Sequence, residues 1–321
     1  MRLNEIYRLF VQLGKENDPR TASGVNEYLE RTKKQYKDTK KSDKQYFDEE
    51  RLGNPYNDTR ILNGDPDIHV KKILAGIDME TPELILADRL REKGEQIDLV
   101  MAHHPEGKAL LGLHRVMQMQ EDILAGLGVP INVAEGILSS RISEVERGLM
   151  PLNHSRPVDA AKLLGLPFMC VHTPADNMVN TYLSKLFDEK KPGTVDDAVD
   201  ILKEIPEYQE AMRIGAGPKV VVGSEKKRAG KIFVDMTGGT GGSDEAFAKL
   251  AIAGIGTIIA MHIGEKHRKE AEKNHINVVV AGHIASDSLG MNLLLDVIEQ
   301  KGIEVLTCSG LTRVNRTKSE I

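Results

Sequence analysis

KKILAGIDMETPELILADRLREKGEQIDLVMAHHP, Lys71–Pro105, is the stretch that decides the fold. Ile73–Ile77 is a short apolar run of buried-strand character. Thr81 then stands as a helix cap with Pro82 at the first helical position, and Gly94 ends the helix. A second apolar run, Ile97–Ala102, follows at once. Strand, helix and strand in this order predict a parallel pair joined by a right-handed crossover. Working outward, the alternation continues with strands expected at Ile131–Ala134, Pro167–Val171, Lys231–Asp235, Thr257–Met261, Ile276–Ala281 and Glu304–Cys308. Helices are expected from Ser243 to near Gly254 and from Glu265 to about Asn274, and the stretches Leu113–Gly165 and Asn180–Arg213 read as mostly helical. The class is therefore α/β with mostly buried strands. No low-complexity linker separates two halves, which argues against two independent beads.

Residues 1–66 are polar and read as a peripheral helical arm, leaving 67–321 as the α/β unit. Between Arg31 and Lys44 the arm carries Arg31, Lys33, Lys34, Lys37, Lys40, Lys41 and Lys44 against Asp38 and Asp43. A solvated helix face with Tyr28, Leu29 and Tyr36 turned inward explains this better than a landing strip for RNA. The whole chain of 321 residues has 43 Lys and Arg against 48 Asp and Glu, a net charge of −5, so it is not built to neutralise a phosphate backbone by bulk charge. With 40% hydrophobic and 28% charged residues it is neither disordered nor membrane-like. Its longest nearly apolar run, Leu250–Met261, is too short and too glycine-broken to span a bilayer. Two cysteines, Cys170 and Cys308, and a start without a leader-like apolar stretch predict a reducing, cytoplasmic setting.

The chemistry is expected where apolar runs end in histidine: LVMAHHP with His103 and His104, FMCVHTPAD with His172, IIAMH with His262, and VVVAGH with His283. In open α/β sheets ligand sites lie at the carboxyl ends of strands, so these side chains converge if their strands are parallel neighbours. His172 and His283 each carry an aspartate four residues on, Asp176 and Asp287, a spacing that faces both groups one way on a helix. Imidazole with carboxylate favours zinc, iron or manganese over calcium or magnesium, and the absence of a cysteine cluster argues against a closed structural zinc site. Cys170 and Cys308 read as buried thiols. The loop MTGGTGGSDEAF, Met236–Phe247, is a glycine-rich strand-to-helix turn without the lysine of a phosphate-binding loop, and tight backbone packing is its leading reading. Glu265, beside His262 and His267, is a candidate general base or outer carboxylate.

ILAGIDMETPE, DLVMAHHP, VHTPAD, GTIIAMHIGE and NHINVVVAGHIASD, in this order over Ile73–Cys308, resemble the Nif-three-like family of dinuclear metal-centre proteins, also labelled type-two GTP cyclohydrolases. The resemblance implies two interlocked α/β halves, metal ligands at His103, His104, Asp176, His283 and Asp287, His172 beside them in an outer or catalytic role, and commonly a ring-shaped hexamer. Asp287 stands where the family usually has glutamate. The arm before Ile73 and the long helical stretch between His104 and Asp176 exceed the family's compact form. The expected function is a hydrolase holding two divalent transition-metal ions (zinc, iron or manganese). It would act on an anionic, phosphate-bearing or nucleotide-like small molecule through a metal-bridging hydroxide. The alternative is a non-catalytic metal-binding ring acting as a scaffold or in metal handling.

Overall fold

The computed structural model describes residues 1–317. Among these residues nine strands form two sheets. The first has the order β1-β4-β3-β2-β9, from β1 (Arg60–Asn63), β2 (Lys72–Gly76), β3 (Leu99–Ala102), β4 (Phe168–Cys170) and β9 (Glu304–Cys308). The second has the order β5-β8-β7-β6, from β5 (Lys219–Val222), β6 (Lys231–Asp235), β7 (Ile255–Ala260) and β8 (Asn277–Val280). All neighbours are parallel except at two of the four edges, β1 on β4 and β5 on β8, each antiparallel and each with an irregular register. Because β9 returns from the C-terminal side to pair with β2, the two halves are interlocked.

The helices are α1 (Leu3–Glu16), α2 (Thr21–Asp38), α3 (Thr81–Glu92), α4 (Gly107–Val116), α5 (Met119–Leu127), α6 (Ile131–Leu149), α7 (Arg156–Leu163), α8 (Thr173–Lys190), α9 (Val195–Lys203), α10 (Pro206–Arg213), α11 (Ala246–Ile252), α12 (Glu265–Lys273) and α13 (His283–Glu299). Helices α8 and α13 lie between the sheets. Met291, Leu294 and Leu295 of α13 pack with Ile73, Met101 and Met169 of the first sheet, while Leu289 of α13 and Val179 and Leu183 of α8 pack with Val234, Ile259 and Val279 of the second. Their approach is close enough that a Cβ at Gly290 would stand 2.4 Å from the Ala175 carbonyl oxygen, so only glycine fits at this contact. The outer face of the first sheet carries α3 and α7, through Leu84, Ala87 and Ala161. That of the second carries α5, α6 and α11, through Leu124, Leu138 and Leu250. Each sheet is thus covered on both sides, the reason its strands read as continuous apolar runs.

Four expectations need correction. Ile131–Ala134 is not a strand but the first turn of α6, whose buried positions Ala134 and Leu138 are spaced i, i+4. A four-residue apolar run has no period of its own, and the helical spacing appears only further on. The arm is not wholly peripheral: Leu3, Ile6 and Phe10 of α1 are fully buried in the core that α13 shares, and β1 is a strand of the first sheet. Helix α2 does behave as a solvated face, with Tyr28 and Leu29 buried and Tyr36 half-buried against Phe47. The edge strands β1 and β5, each four residues long, had no expectation at all. The helix expected from Ser243 starts three residues later, at Ala246, and Glu80 rather than Thr81 caps α3. No helix among the described residues is long and apolar enough to cross a membrane.

Candidate metal centre

The histidines expected to converge do so. β3 ends at Ala102, and the next two amides keep the parallel ladder going, His103 donating to the Gly76 carbonyl at 2.9 Å and His104 to that of Ile77 at 3.0 Å. β4 delivers His172 to the start of α8, placing Asp176 in its first turn. β8 delivers His283 to the start of α13, with Asp287 one turn further. Gly282, just before it, has φ of 117° and would put a Cβ 2.6 Å from the Ala216 carbonyl oxygen, so the entry into α13 requires glycine. Both aspartates sit near helix N-termini, where the backbone dipole favours negative charge.

Each first-half imidazole is anchored on its far side. His103 Nδ1 lies 3.2 Å from the Val171 carbonyl oxygen, His104 Nδ1 2.6 Å from Asp78 Oδ1, and His172 Nδ1 2.8 Å from Asp58 Oδ2. A carbonyl can only accept, so His103 donates from Nδ1 and, when neutral, leaves Nε2 with a bare lone pair. The inward Nε2 atoms then ring two carboxylates. His103 Nε2 is 3.5 Å from both Asp176 Oδ1 and Asp287 Oδ1, His104 Nε2 3.4 Å from Asp287 Oδ2, His283 Nε2 3.6 Å from Asp287 Oδ2, and His172 Nε2 3.7 Å from Asp176 Oδ2. These gaps exceed ordinary hydrogen bonds. They approach the separation of about 3.0–3.4 Å expected of two ligand atoms each about 2.1 Å from one ion.

His103 Nε2, Asp176 Oδ1 and both Asp287 oxygens are buried without a hydrogen-bond partner. Buried polar atoms are normally satisfied, and four orphans within one small cluster fit bound cations. Three overlapping groups have ligand atoms within 4.8 Å of one another: His103, Asp176 and Asp287; His104, His283 and Asp287; and His103, His104 and His172. Buried histidine and aspartate groups here can therefore bind metal. The same geometry gives His172 as good a claim to ligation as its neighbours.

Burial lowers the His103 imidazole to about 4, toward the neutral form that ligation needs. Burial opposes charge on Asp287 too, yet the imidazoles of His103 and His104 hold its carboxyl well below the usual carboxylate range. His172 behaves oppositely: against its burial, Asp176 and Asp58 raise it to about 9. Asp176 itself is lifted to about 7, chiefly by burial.

Other candidates fall elsewhere. Glu265 is exposed at the start of α12, paired with Arg268 and Lys269 rather than with the cluster, so its proposed general-base role has no support from its position. The expectation rested on nearness in sequence to His262, which α12 turns away from. His262 stacks edge-on against His283 at 4.9 Å between ring centres but belongs to none of the ligand groups. Cys170 is fully buried, its thiol pushed up to about 12 by burial, and Cys308 is partly buried. Asp58 and Asp78 were missed. Asp58, fully buried, bonds His172 and also accepts from Thr173 Oγ1 at 2.6 Å. It lies in the polar stretch read as an arm, and nothing local in the sequence marks it.

Beside the cluster a cavity of about 590 Å³ opens between the outer face of the second sheet and α5, α6 and α11, reaching His104, His172, Asp176 and His283 at one end. The glycine-rich loop lines it. Gln120 Nε2 donates to the Gly238 and Thr240 carbonyls at 2.7 Å each, Arg141 Nε to Gly241 at 3.1 Å, and His267 Nε2 lies 2.9 Å from the Gly242 carbonyl. The loop is thus clamped from α5, α6 and α12 and is part of the cavity wall.

An α/β protein of two interlocked, mostly parallel sheets, with a histidine and aspartate cluster able to bind metal at its strand ends, is the class that fold and site define. No protein-family profile and no curated protein matches the chain. Solved structures do. The NIF3 superfamily protein from Sphaerobacter thermophilus is 28% identical, with a TM-score of 0.69, over 79% of this chain and 92% of that one. Reduced HcgD from Methanocaldococcus jannaschii is 17% identical, with a TM-score of 0.49, over 77% of this chain and 87% of that one. The first of these likenesses shows a chain similar, over most of its length, to a NIF3 superfamily protein.

Proposed function

We propose that the chain is a dinuclear metal-dependent hydrolase acting on a phosphate-bearing or nucleotide-like small molecule. The observation that carries this reading is the set of four buried, unpartnered ligand atoms around Asp287, beside a cavity large enough for a small-molecule substrate. His103, Asp176 and Asp287 would hold one ion, and His104, His283 and Asp287 the other, with Asp287 shared. Such ions (zinc, iron or manganese) would supply an activated water and polarise a substrate oxygen. The chain's own part is to hold the imidazoles by their Nδ1 atoms, keep Asp287 ionised, and admit substrate from the cavity side, where His283 is the most open of these side chains at 41% exposure. Two dications would outweigh the two ligating carboxylates, Asp176 and Asp287, and favour an anionic group at the positions the protein leaves open. A cytoplasmic homo-oligomer, a hexamer by resemblance, is part of the same proposal.

The test is elemental analysis of protein purified without chelator, followed by a screen of the metal-loaded protein against nucleotides and phosphoesters. Close to two ions per chain with turnover of one compound class is the expected result. No metal, and no uptake of added zinc or manganese, would sink the dinuclear reading. Two ions with no turnover and ready exchange would instead favour the metal-handling alternative.

A further inference from the structure

The ring of His283 has no hydrogen-bonded partner behind it among the described residues, only Asp287 at 3.6 Å, so what fixes it acts through its backbone. The groups in place to do so come from α10. Its Tyr208 is fully buried in one apolar cluster with Ala281, Ala285 and Leu289. Tyr208 Oη lies 2.9 Å from Ser286 Oγ, and Ser286 Oγ lies 2.6 Å from the Gly282 carbonyl oxygen. A carbonyl only accepts, so Ser286 commits its single hydroxyl proton to Gly282 and Tyr208 is the donor to Ser286. The same carbonyl also takes the Ser286 amide at 3.1 Å. Gly282 and Ser286 are covalently next to His283 and Asp287. Both candidate ligands of α13 are thus bracketed by one run of hydrogen bonds within a single helical turn.

Helix α10 is itself held away from the cluster. Glu207, buried and next to Tyr208, accepts from Asn292 Nδ2 of α13 at 2.7 Å and from the two terminal nitrogens of Arg316 at 2.8 and 2.7 Å. A forked pair of this kind fixes direction as well as distance. A serine bond to the carbonyl four residues back biases the local path of a helix rather than adding stability, and here it falls in the turn that carries the ligands. A phenylalanine at 208 would fill the same apolar space, so the hydroxyl adds only the bond to Ser286. We infer that Tyr208 is a positioning residue for the metal centre: through Ser286 and Gly282 it aims His283 and Asp287 from the backbone side, as Asp58 aims His172 by direct contact. This rests on the reading that the cluster holds two ions, and it adds a residue that touches neither of them.

The test is cobalt binding to the full chain after removal of bound metal, read by competition with a chromophoric chelator and by visible absorption. His283→Ala identifies which of the two binding steps depends on His283. In Tyr208→Phe that step is expected to weaken by about tenfold or more and the other step less, as when a partner behind a ligating group is lost. The absorption bands of the cobalt-saturated variant are expected to shift, a change that loss of packing elsewhere in the core would not produce. Ser286→Ala, which removes both side-chain bonds, is expected to behave alike and stands in if Tyr208→Phe does not fold. Equal weakening of both steps, or of neither, overturns the inference and leaves Tyr208 a packing residue. A wild type that takes up no cobalt removes the dinuclear reading and this inference with it. The two failures are distinguished because one is read in the wild type and the other only in the variants.

Discussion

Helices α8 and α13 begin alike and are supported differently. Each follows a parallel strand flanked by an irregular antiparallel edge, and each carries a histidine at its start with an aspartate four residues on. At α8, His172 is fixed from behind by the buried Asp58, and Asp176 leans on His172. At α13, His283 has no hydrogen-bonded partner behind it among the described residues and is 41% exposed, while Asp287 is fully buried among imidazoles. The first half therefore supplies anchored, preoriented groups, and the second supplies the shared carboxylate and the open side facing the cavity. The same sequence spacing thus gives a rigid wall in one half and a mouth in the other, because only one has a buried carboxylate behind its histidine.

The most severe way to break this contrast is to empty the first half. His103→Ala with His104→Ala should take metal content from close to two ions per chain to close to none, by elemental analysis, with circular dichroism unchanged because the core is built from apolar packing. Asp58→Asn attacks only the anchoring. It keeps size but removes the charge behind His172, and should weaken metal binding about 10–100-fold, as loss of a partner to a ligating histidine does elsewhere. If metal competition against a chromophoric chelator shows no change, His172 is not held for ligation.

The pH dependence sharpens the contrast further. His172 and Asp176 are raised, to about 9 and about 7, and so carry protons near neutrality that a cation must displace. His283 and Asp287 are lowered, and have none to give. Metal binding should therefore release protons at pH 7 and tighten as pH rises, by about tenfold per pH unit for each proton released. Calorimetry in buffers of different ionisation enthalpy reads the proton count, and His172→Asn should flatten the dependence whereas His283→Asn should not. The smallest effect is expected from Glu265→Gln. An exposed helix-start charge should leave the thermal midpoint nearly unchanged and the metal content alone. A loss of metal in this variant would restore Glu265 to the site.

Much of this was legible in the chain. Ile73–Ile77 followed by Thr81, Pro82 and Gly94 marked a strand–helix–strand unit because each element carries its own local signal: an apolar run, a helix start, a glycine stop. His103, His104, His172 and His283 stood out because each ends an apolar run. Ile131–Ala134 misled because four apolar residues fit either period, and β1 and β5 escaped because a short edge strand is set by the neighbour it pairs with rather than by its own residues. Glu265 misled for a related reason: nearness along the chain says nothing of which way a helix faces.

The sequence by itself determined the α/β class, the strand ends that carry histidine, and the two His and Asp pairs, all properties of runs of ten or so residues. Tertiary structure alone decided that both pairs meet around His103, and that Asp58 stands behind His172 across 114 positions of chain. Helix and strand periodicity are local, so they can be read from order. Burial, charge compensation and the partner of a polar atom depend on which distant segments pack together, and α5 and α6 had to fold over the second sheet before the cavity existed at all.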